Sequence, residues 1–121
     1  MKKLKKIEGS CAVCALHYVS GKDEDTVLRI CKSYGFEPEA GMEDTEWREA
    51  AEHLGVKVRA VSLEKCSLRQ FLKDYPNGVY LIGTSGHLFV VDNGVIVDPR
   101  NDKPPGLKRT VLQAWRVNGD L

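Results

Sequence analysis

Residues 86–99 have the sequence GHLFVVDNGVIVDP, in which Asn93-Gly94 separates two apolar runs. An Asn-Gly pair in this setting is the strongest short-range signal for a β-hairpin with a two-residue turn. With that turn, Phe89 faces Asp98 across the hairpin, and His87 becomes a diagonal neighbour of Asp98 on the same face. Diagonal Cβ atoms lie ~7–8 Å apart or less. The stretch therefore predicts a strand pair that brings a carboxylate to an imidazole.

An imidazole held by a carboxylate is the base-and-orienter half of a catalytic triad, and it needs a nucleophile. Cys11 is the candidate, because it lies at the predicted start of a helix, directly after Ser10, a residue type that caps helices. A helix N-terminus favours the thiolate form of cysteine, and a neighbouring imidazolium favours it further. We therefore predict Cys11 as nucleophile, His87 as base and Asp98 as the residue that orients the base.

Apolar residues before the hairpin recur every three to four positions, which is the spacing of a helix face. The spacing predicts helices over 11–20, 23–34 and 43–54, and a short helix capped by Ser67. Alternating or apolar runs predict strands over 56–63, 79–82, 87–92, 95–98 and 110–117, with a tight turn at 83–86. Helices and strands are segregated along the chain, so we expect an α+β fold in a single domain of residues 1–121.

Composition excludes several classes of protein. Lys plus Arg number 18 and Asp plus Glu number 17, and this balance argues against a dedicated nucleic-acid binder. No apolar run reaches the ~18–20 residues of a membrane span. Residues 1–9 contain four lysines but no apolar segment of a signal peptide, so we expect a flexible basic tail and a cytoplasmic protein.

The four cysteines also permit sites other than a catalytic triad. Cys11 and Cys14 form a Cys-x-x-Cys pair, which can also indicate a redox or zinc site. The strand expected before the pair of a thioredoxin-like redox site is missing here. A zinc site needs four ligands and there is no second such pair, so scattered residues would have to complete it. The candidates would be Cys31, Cys66, His17 and His53. We expect Cys14 to be structural, and the predicted chemistry needs no metal or cofactor.

The order of these motifs resembles the papain-like cysteine peptidase superfamily. The stretches SCAVCA (10–15) and GHL (86–88) through Asp98-Pro99 carry the likeness, and the final strand with Ala114-Trp115-Arg116 adds to it. The chain is similar in particular to short bacterial and phage members and to the peptidase domains that process bacteriocin leaders. The resemblance implies a papain-like fold, with N-terminal helices packed on a C-terminal antiparallel sheet, and a Cys11-His87-Asp98 triad.

One position departs from the pattern of that superfamily. Many members carry a Gln six residues before the catalytic Cys, where its side chain helps to build the oxyanion hole. Here the position is Lys5. Lys5 and Ser10 are therefore the side chains considered for the oxyanion site, and a backbone N–H is the alternative.

The resulting hypothesis is a cysteine peptidase or related thiol hydrolase that acts on a peptide or protein substrate, at a peptide or isopeptide bond. The kind of bond follows from the resemblance alone. The Lys5 departure motivates the alternative hypothesis, in which the fold serves as a catalytically weak or inactive binding module, of bacterial or phage origin, that engages a host protein. We expect neither nucleic acid nor membrane as a partner.

Overall fold

The helices begin and end close to the predicted positions. A computed structural model describes residues 11–38, 40–98 and 106–118. Within them the helices are α1 (Cys11–Ser20), α2 (Glu24–Ser33), α3 (Asp44–His53) and α4 (Leu68–Asp74). The Ser67 hydroxyl caps α4 by accepting from the Gln70 N–H at 3.1 Å, as the sequence predicts.

The strands form two antiparallel sheets in the described part of the chain. They are β1 (Val58–Ala60), β2 (Cys66–Ser67), β3 (Val79–Thr84), β4 (His87–Asp92), β5 (Val95–Val97), β6 (Thr110–Val111) and β7 (Gln113–Val117). Five of them form a sheet in the order β1-β7-β3-β4-β5, and β2 pairs separately with β6. Every neighbouring pair is antiparallel, so the predicted α+β class is confirmed.

The β4–β5 hairpin has the predicted register. Asp92 faces Val95, and the pairing continues inward to Val90 and Val97. Asn93 and Gly94 have φ of 50° and 81°, and two positive φ values are what a type I′ turn requires. The turn chemistry in the sequence thus determines which residues of the two strands lie side by side.

Three strand predictions have limits that differ from the structure, of which the smallest difference is at β5, which ends at Val97 rather than at 98. β1 covers 58–60 rather than 56–63, because the Val56 N–H bonds to the Ala51 carbonyl at 2.9 Å and so belongs to the end of α3. β3 continues through Gly83 and Thr84, which pair with Leu88 and His87. The expected turn at 83–86 is therefore only the two residues 85–86, and Thr84 at the end of β3 pairs with His87 at the start of β4.

The predicted last strand, 110–117, is two strands in different sheets. Leu112 separates β6 from β7, and its N–H donates to the Gly83 carbonyl at 2.9 Å. The partner of β6 is β2, a two-residue strand that was not predicted because two residues show no periodicity. The break leaves the Leu112 side chain 59% exposed.

Helices pack on both faces of the large sheet. Helices α1, α2 and α3 cover one face, where Trp47 and Trp115 meet edge to face with ring centroids 4.9 Å apart. Helix α4, with Phe71, covers the other face together with Val111 of the small sheet. Both tryptophans lie in the core, and neither is more than 4% exposed.

Helix α1 is the central helix of the larger core. Five consecutive residues, 12–16, are at most 3% exposed, and the helix packs along β4. A helix that is apolar on all sides is a buried one. It has ten residues, and no helix among the described residues is long and apolar enough to cross a membrane. Its N-terminal residue is Cys11, so core packing determines where that thiol lies.

Candidate active site

The packing of α1 on β4 places Cys11 beside the start of the strand. The Leu88 N–H donates to Cys11 Sγ at 3.4 Å, and the thiol also shares a hydrogen bond with the His87 side chain. Cys11 is half-buried at the N-terminus of α1. A sulfur in this position is next to two N–H donors and the positive end of a helix dipole, and all of these favour the thiolate.

His87 and Asp98 lie together as the hairpin register predicts. His87 Nε2 is 2.6 Å from Asp98 Oδ2, and the two side chains are only 11% and 2% exposed. Asp98 immediately follows β5, so the length of the hairpin determines its distance from His87. A contact this short between an imidazole and a buried carboxylate is a charge-assisted hydrogen bond.

The surroundings of His87 favour its charged form. The hydrogen bond that His87 donates to Asp98 is the largest influence and the hydrogen bond with Cys11 the next, and together they raise the pKa of His87 from 6.5 to about 9. Burial acts in the opposite direction and is outweighed. Because Asp98 occupies Nε2, the nitrogen that remains for the thiol is Nδ1. At neutral pH the imidazolium therefore lies between a carboxylate and a sulfur.

A cleft of about 460 Å³ opens beside the thiol. One wall is the β3–β4 turn, and the other comes from the start of α3 and from Met42, two residues before it. The lining residues include Cys11 and His87, and beyond them Met42, Asp44, Trp47, Gly83, Thr84, Leu112 and Gln113. Pockets of ~300–1,000 Å³ are the usual size for ligand sites, so the cleft has room for a small ligand or a short peptide segment.

Several cleft residues gave no signal in the sequence. Met42 and Asp44 come from the connection into α3, where Asp44 Oδ1 accepts from Trp47 Nε1 at 3.1 Å. Leu112 reaches the cleft through the break between β6 and β7. Their positions depend on loops and on how the layers pack, neither of which leaves a periodic pattern. Lys5 and Ser10, the predicted oxyanion residues, lie outside the described residues.

The other cysteines differ from Cys11 in their surroundings. Cys14 is fully buried, as expected for a core residue. Burial raises the pKa of the Cys31 thiol to about 11. Burial, and then the charge of Asp74, raises the pKa of Cys66. These influences disfavour the thiolate at Cys31 and Cys66.

The two remaining histidines lie away from the thiol–imidazole pair. His53 ends α3, where Nδ1 is 3.0 Å from the Tyr34 hydroxyl. His17 is half-buried in the second half of α1. Over the described ranges of the chain, no three His, Cys, Asp or Glu side chains are grouped so as to hold a metal ion.

A larger groove lies elsewhere on the molecule, between α3 and β1. Its volume is about 550 Å³, and its charged lining residues are Arg48, Glu49, Glu52 and Lys57. Although this groove is larger, the described residues that line it include neither a thiol nor an imidazole. The smaller cleft has both.

Comparisons of the chain with protein-family models, with curated proteins and with solved structures gave no match.

Proposed function

We propose that this protein is a papain-like thiol hydrolase, a cysteine peptidase that cleaves a peptide or isopeptide bond with Cys11, His87 and Asp98. The observation that carries the proposal is a continuous line of hydrogen bonds from Asp98 through His87 to the Cys11 thiol, beside an open cleft. A second support is the arrangement of elements: Cys11 opens the central helix and His87 opens a strand of the antiparallel sheet.

In the first half of the reaction, the Cys11 thiolate attacks the carbonyl carbon of the substrate and forms a C–S bond. The carbonyl oxygen takes the negative charge, close to the positive end of the α1 dipole. The His87 imidazolium then gives the proton on Nδ1 to the leaving nitrogen. The C–N bond breaks, the amine departs and an acyl-enzyme remains.

In the second half, His87 is neutral and acts as the base. It takes a proton from water, whose oxygen attacks the acyl carbon and forms the new carboxylic acid. The C–S bond breaks and the thiolate returns beside an imidazolium. Throughout both halves, Asp98 holds Nε2 and so keeps Nδ1 directed at the sulfur.

The first test is selective alkylation with iodoacetamide at about pH 6, with the labelled residue located by mass spectrometry. An ordinary thiol has a pKa near ~8.5 and is almost unreactive at this pH. We expect Cys11 to be labelled well before Cys31 and Cys66, which serve as controls within the same molecule because their pKa values are raised. In His87→Ala the labelling of Cys11 should fall to the level of Cys66.

The second test is turnover. Wild type and Cys11→Ala are incubated with a denatured protein mixture, and new peptide N-termini are identified by mass spectrometry. We expect new termini with wild type only. Slow labelling of Cys11 without dependence on His87, together with no cleavage, would contradict the proposal and favour the binding-module alternative.

A further inference from the structure

The Cys-x-x-Cys pair has a second chemical use, which depends on how its two sulfurs are placed. Cys11 is the first residue of α1 and Cys14 lies one turn later in the same helix. Residues three apart on a helix are neighbours on one face, with Cβ atoms ~5–6 Å apart. A disulfide needs Cβ atoms ~3.5–4.5 Å apart. A modest adjustment of the first helical turn therefore brings the two sulfurs within bonding distance.

Cys11 has the properties of an oxidisable cysteine. It is half-buried and lines the open cleft, and hydrogen bonds from the Leu88 N–H and the His87 side chain stabilise its negative charge. Peroxides oxidise thiolates that they can reach, and the first product is a sulfenic acid. Cys14, one turn later in the same helix, is fully buried, so it can react with a neighbouring sulfenic acid but not with peroxide arriving from solvent.

We propose that Cys11 and Cys14 form a peroxide-sensitive pair in which Cys11 is oxidised and Cys14 resolves it. This rests on the proposed function, because it requires the Cys11 thiolate. In the first step, the thiolate attacks one peroxide oxygen, the O–O bond breaks, and Cys11 becomes a sulfenic acid with release of hydroxide. In the second step, the Cys14 sulfur attacks the Cys11 sulfur, an S–S bond forms, and the sulfenic oxygen leaves as water.

Formation of this disulfide would affect both the activity of the protein and its resistance to irreversible oxidation. The disulfide occupies the nucleophile, so hydrolysis stops while peroxide is present. A thiol reductant restores both thiols. Without Cys14 the sulfenic acid persists and further peroxide carries it to sulfinic and sulfonic acid, which reductants do not reverse. The pair would therefore convert irreversible damage into a reversible pause.

The test treats the full chain with hydrogen peroxide, then blocks remaining thiols in denaturant and maps the peptides by mass spectrometry. We expect wild type to lose two hydrogens, with the new bond joining Cys11 to Cys14. Labelling of Cys11 by iodoacetamide should fall roughly tenfold or more and return after dithiothreitol. Cys14→Ala should instead react with dimedone, a probe for sulfenic acid, and lose reactivity permanently. Cys31→Ala, a matched change of another buried thiol, should behave as wild type.

The outcomes separate this proposal from the function it rests on. If Cys11 is alkylated at about pH 6 but wild type accumulates as much dimedone adduct as Cys14→Ala, the resolving role is overturned and the thiolate stands. A bond from Cys11 to Cys31 or Cys66 overturns it equally. If Cys11 is not alkylated at that pH, the thiolate itself is wrong and both proposals fail. The wild-type peptide map decides the matter even if Cys14→Ala folds poorly.

Discussion

The Tyr18 hydroxyl donates a hydrogen bond of 2.6 Å to Asp92 Oδ2, and this contact joins α1 to β4 at the end remote from Cys11. At the near end, the Leu88 N–H bonds to Cys11 Sγ. Between the two contacts the helix rises ~10 Å, from Cys11 to Tyr18, and the strand extends ~13 Å, from Leu88 to Asp92. Because these lengths are similar, the helix and the strand run side by side between the contacts. Burial, and then Asp92, raises the pKa of Tyr18 to about 12, so the tyrosine is a neutral donor at every physiological pH.

Replacing Tyr18 by Phe should therefore affect the thiol as well as stability. The change removes the hydroxyl but keeps the ring, and it leaves the half-buried Asp92 without this donor. We expect a loss of about 1–2 kcal/mol in the free energy of unfolding. We also expect slower iodoacetamide labelling of Cys11 at about pH 6, because α1 can then slide along β4.

The matched control is Tyr34→Phe, whose hydroxyl contacts His53 at the surface and not β4. Urea denaturation and the pH profile of Cys11 alkylation are measured for both variants. If Tyr18→Phe loses stability while its alkylation profile coincides with that of Tyr34→Phe, the contact is structural only.

The features of the fold that could be predicted are those determined by short stretches of sequence, such as turns and helix ends. The Asn93-Gly94 turn selects one register because both residues must adopt positive φ, and that register places Asp98 beside His87. The limits of α2 and α3 follow from the spacing of their apolar residues and from Gly35 and Gly55, which follow the two helices. Each of these features depends on residues close together in the chain.

The remaining features depend on contacts that sequence periodicity does not record. Cys11 lies beside His87 because α1 packs along β4, although the two residues are about seventy-six positions apart in the sequence. The break at Leu112 follows from its bond to Gly83, a partner nearly thirty residues away. The cleft is shaped by both of these long-range contacts, and so its lining was not predictable.

Asp98→Asn tests the orienting carboxylate. Asn keeps the shape of the side chain but removes the carboxylate, whose hydrogen bond with His87 does most to raise the pKa of that imidazole. We expect that pKa to fall and the Cys11 thiolate to lose its cationic partner at neutral pH. Labelling of Cys11 at about pH 6 should slow roughly tenfold, and its pH profile should move upward.

A control for this change is Asp44→Asn, which removes an exposed carboxylate that lines the same cleft but bonds to Trp47. Its alkylation profile should match that of wild type. Equal profiles for Asp98→Asn and wild type would show that the His87–Asp98 contact does not govern the thiol.

Gly86→Ala tests the turn that precedes His87. Gly86 has φ of +68° and open space where a Cβ would be, so the cost of the change is backbone strain rather than a clash. Gly55 has the same properties, with φ of +81°, at the end of α3. Each change to Ala should lower the free energy of unfolding by about 1–2 kcal/mol. Only Gly86→Ala should also slow Cys11 alkylation, and equal effects of both variants on alkylation would contradict a role for the turn in placing His87.

The raised pKa of His87 also predicts how stability changes with pH. The pKa is about 9 in the folded protein and near 6.5 in the unfolded chain, so the folded state binds the proton more tightly. The stabilisation is fully present below about pH 6.5 and is lost as pH rises through about 9.

The experiment compares urea denaturation of Cys11→Ser with that of Cys11→Ser/His87→Ala. The serine removes the titration of the thiol, and the contributions of the other histidines cancel in the difference between the two variants. We expect the difference in unfolding free energy to be largest at about pH 6 and to shrink toward pH ~9–10, at a lower midpoint than about 9 because the bond to Cys11 is absent. A difference that is constant with pH, or that grows as pH rises, would mean that Asp98 does not hold His87 in its charged form.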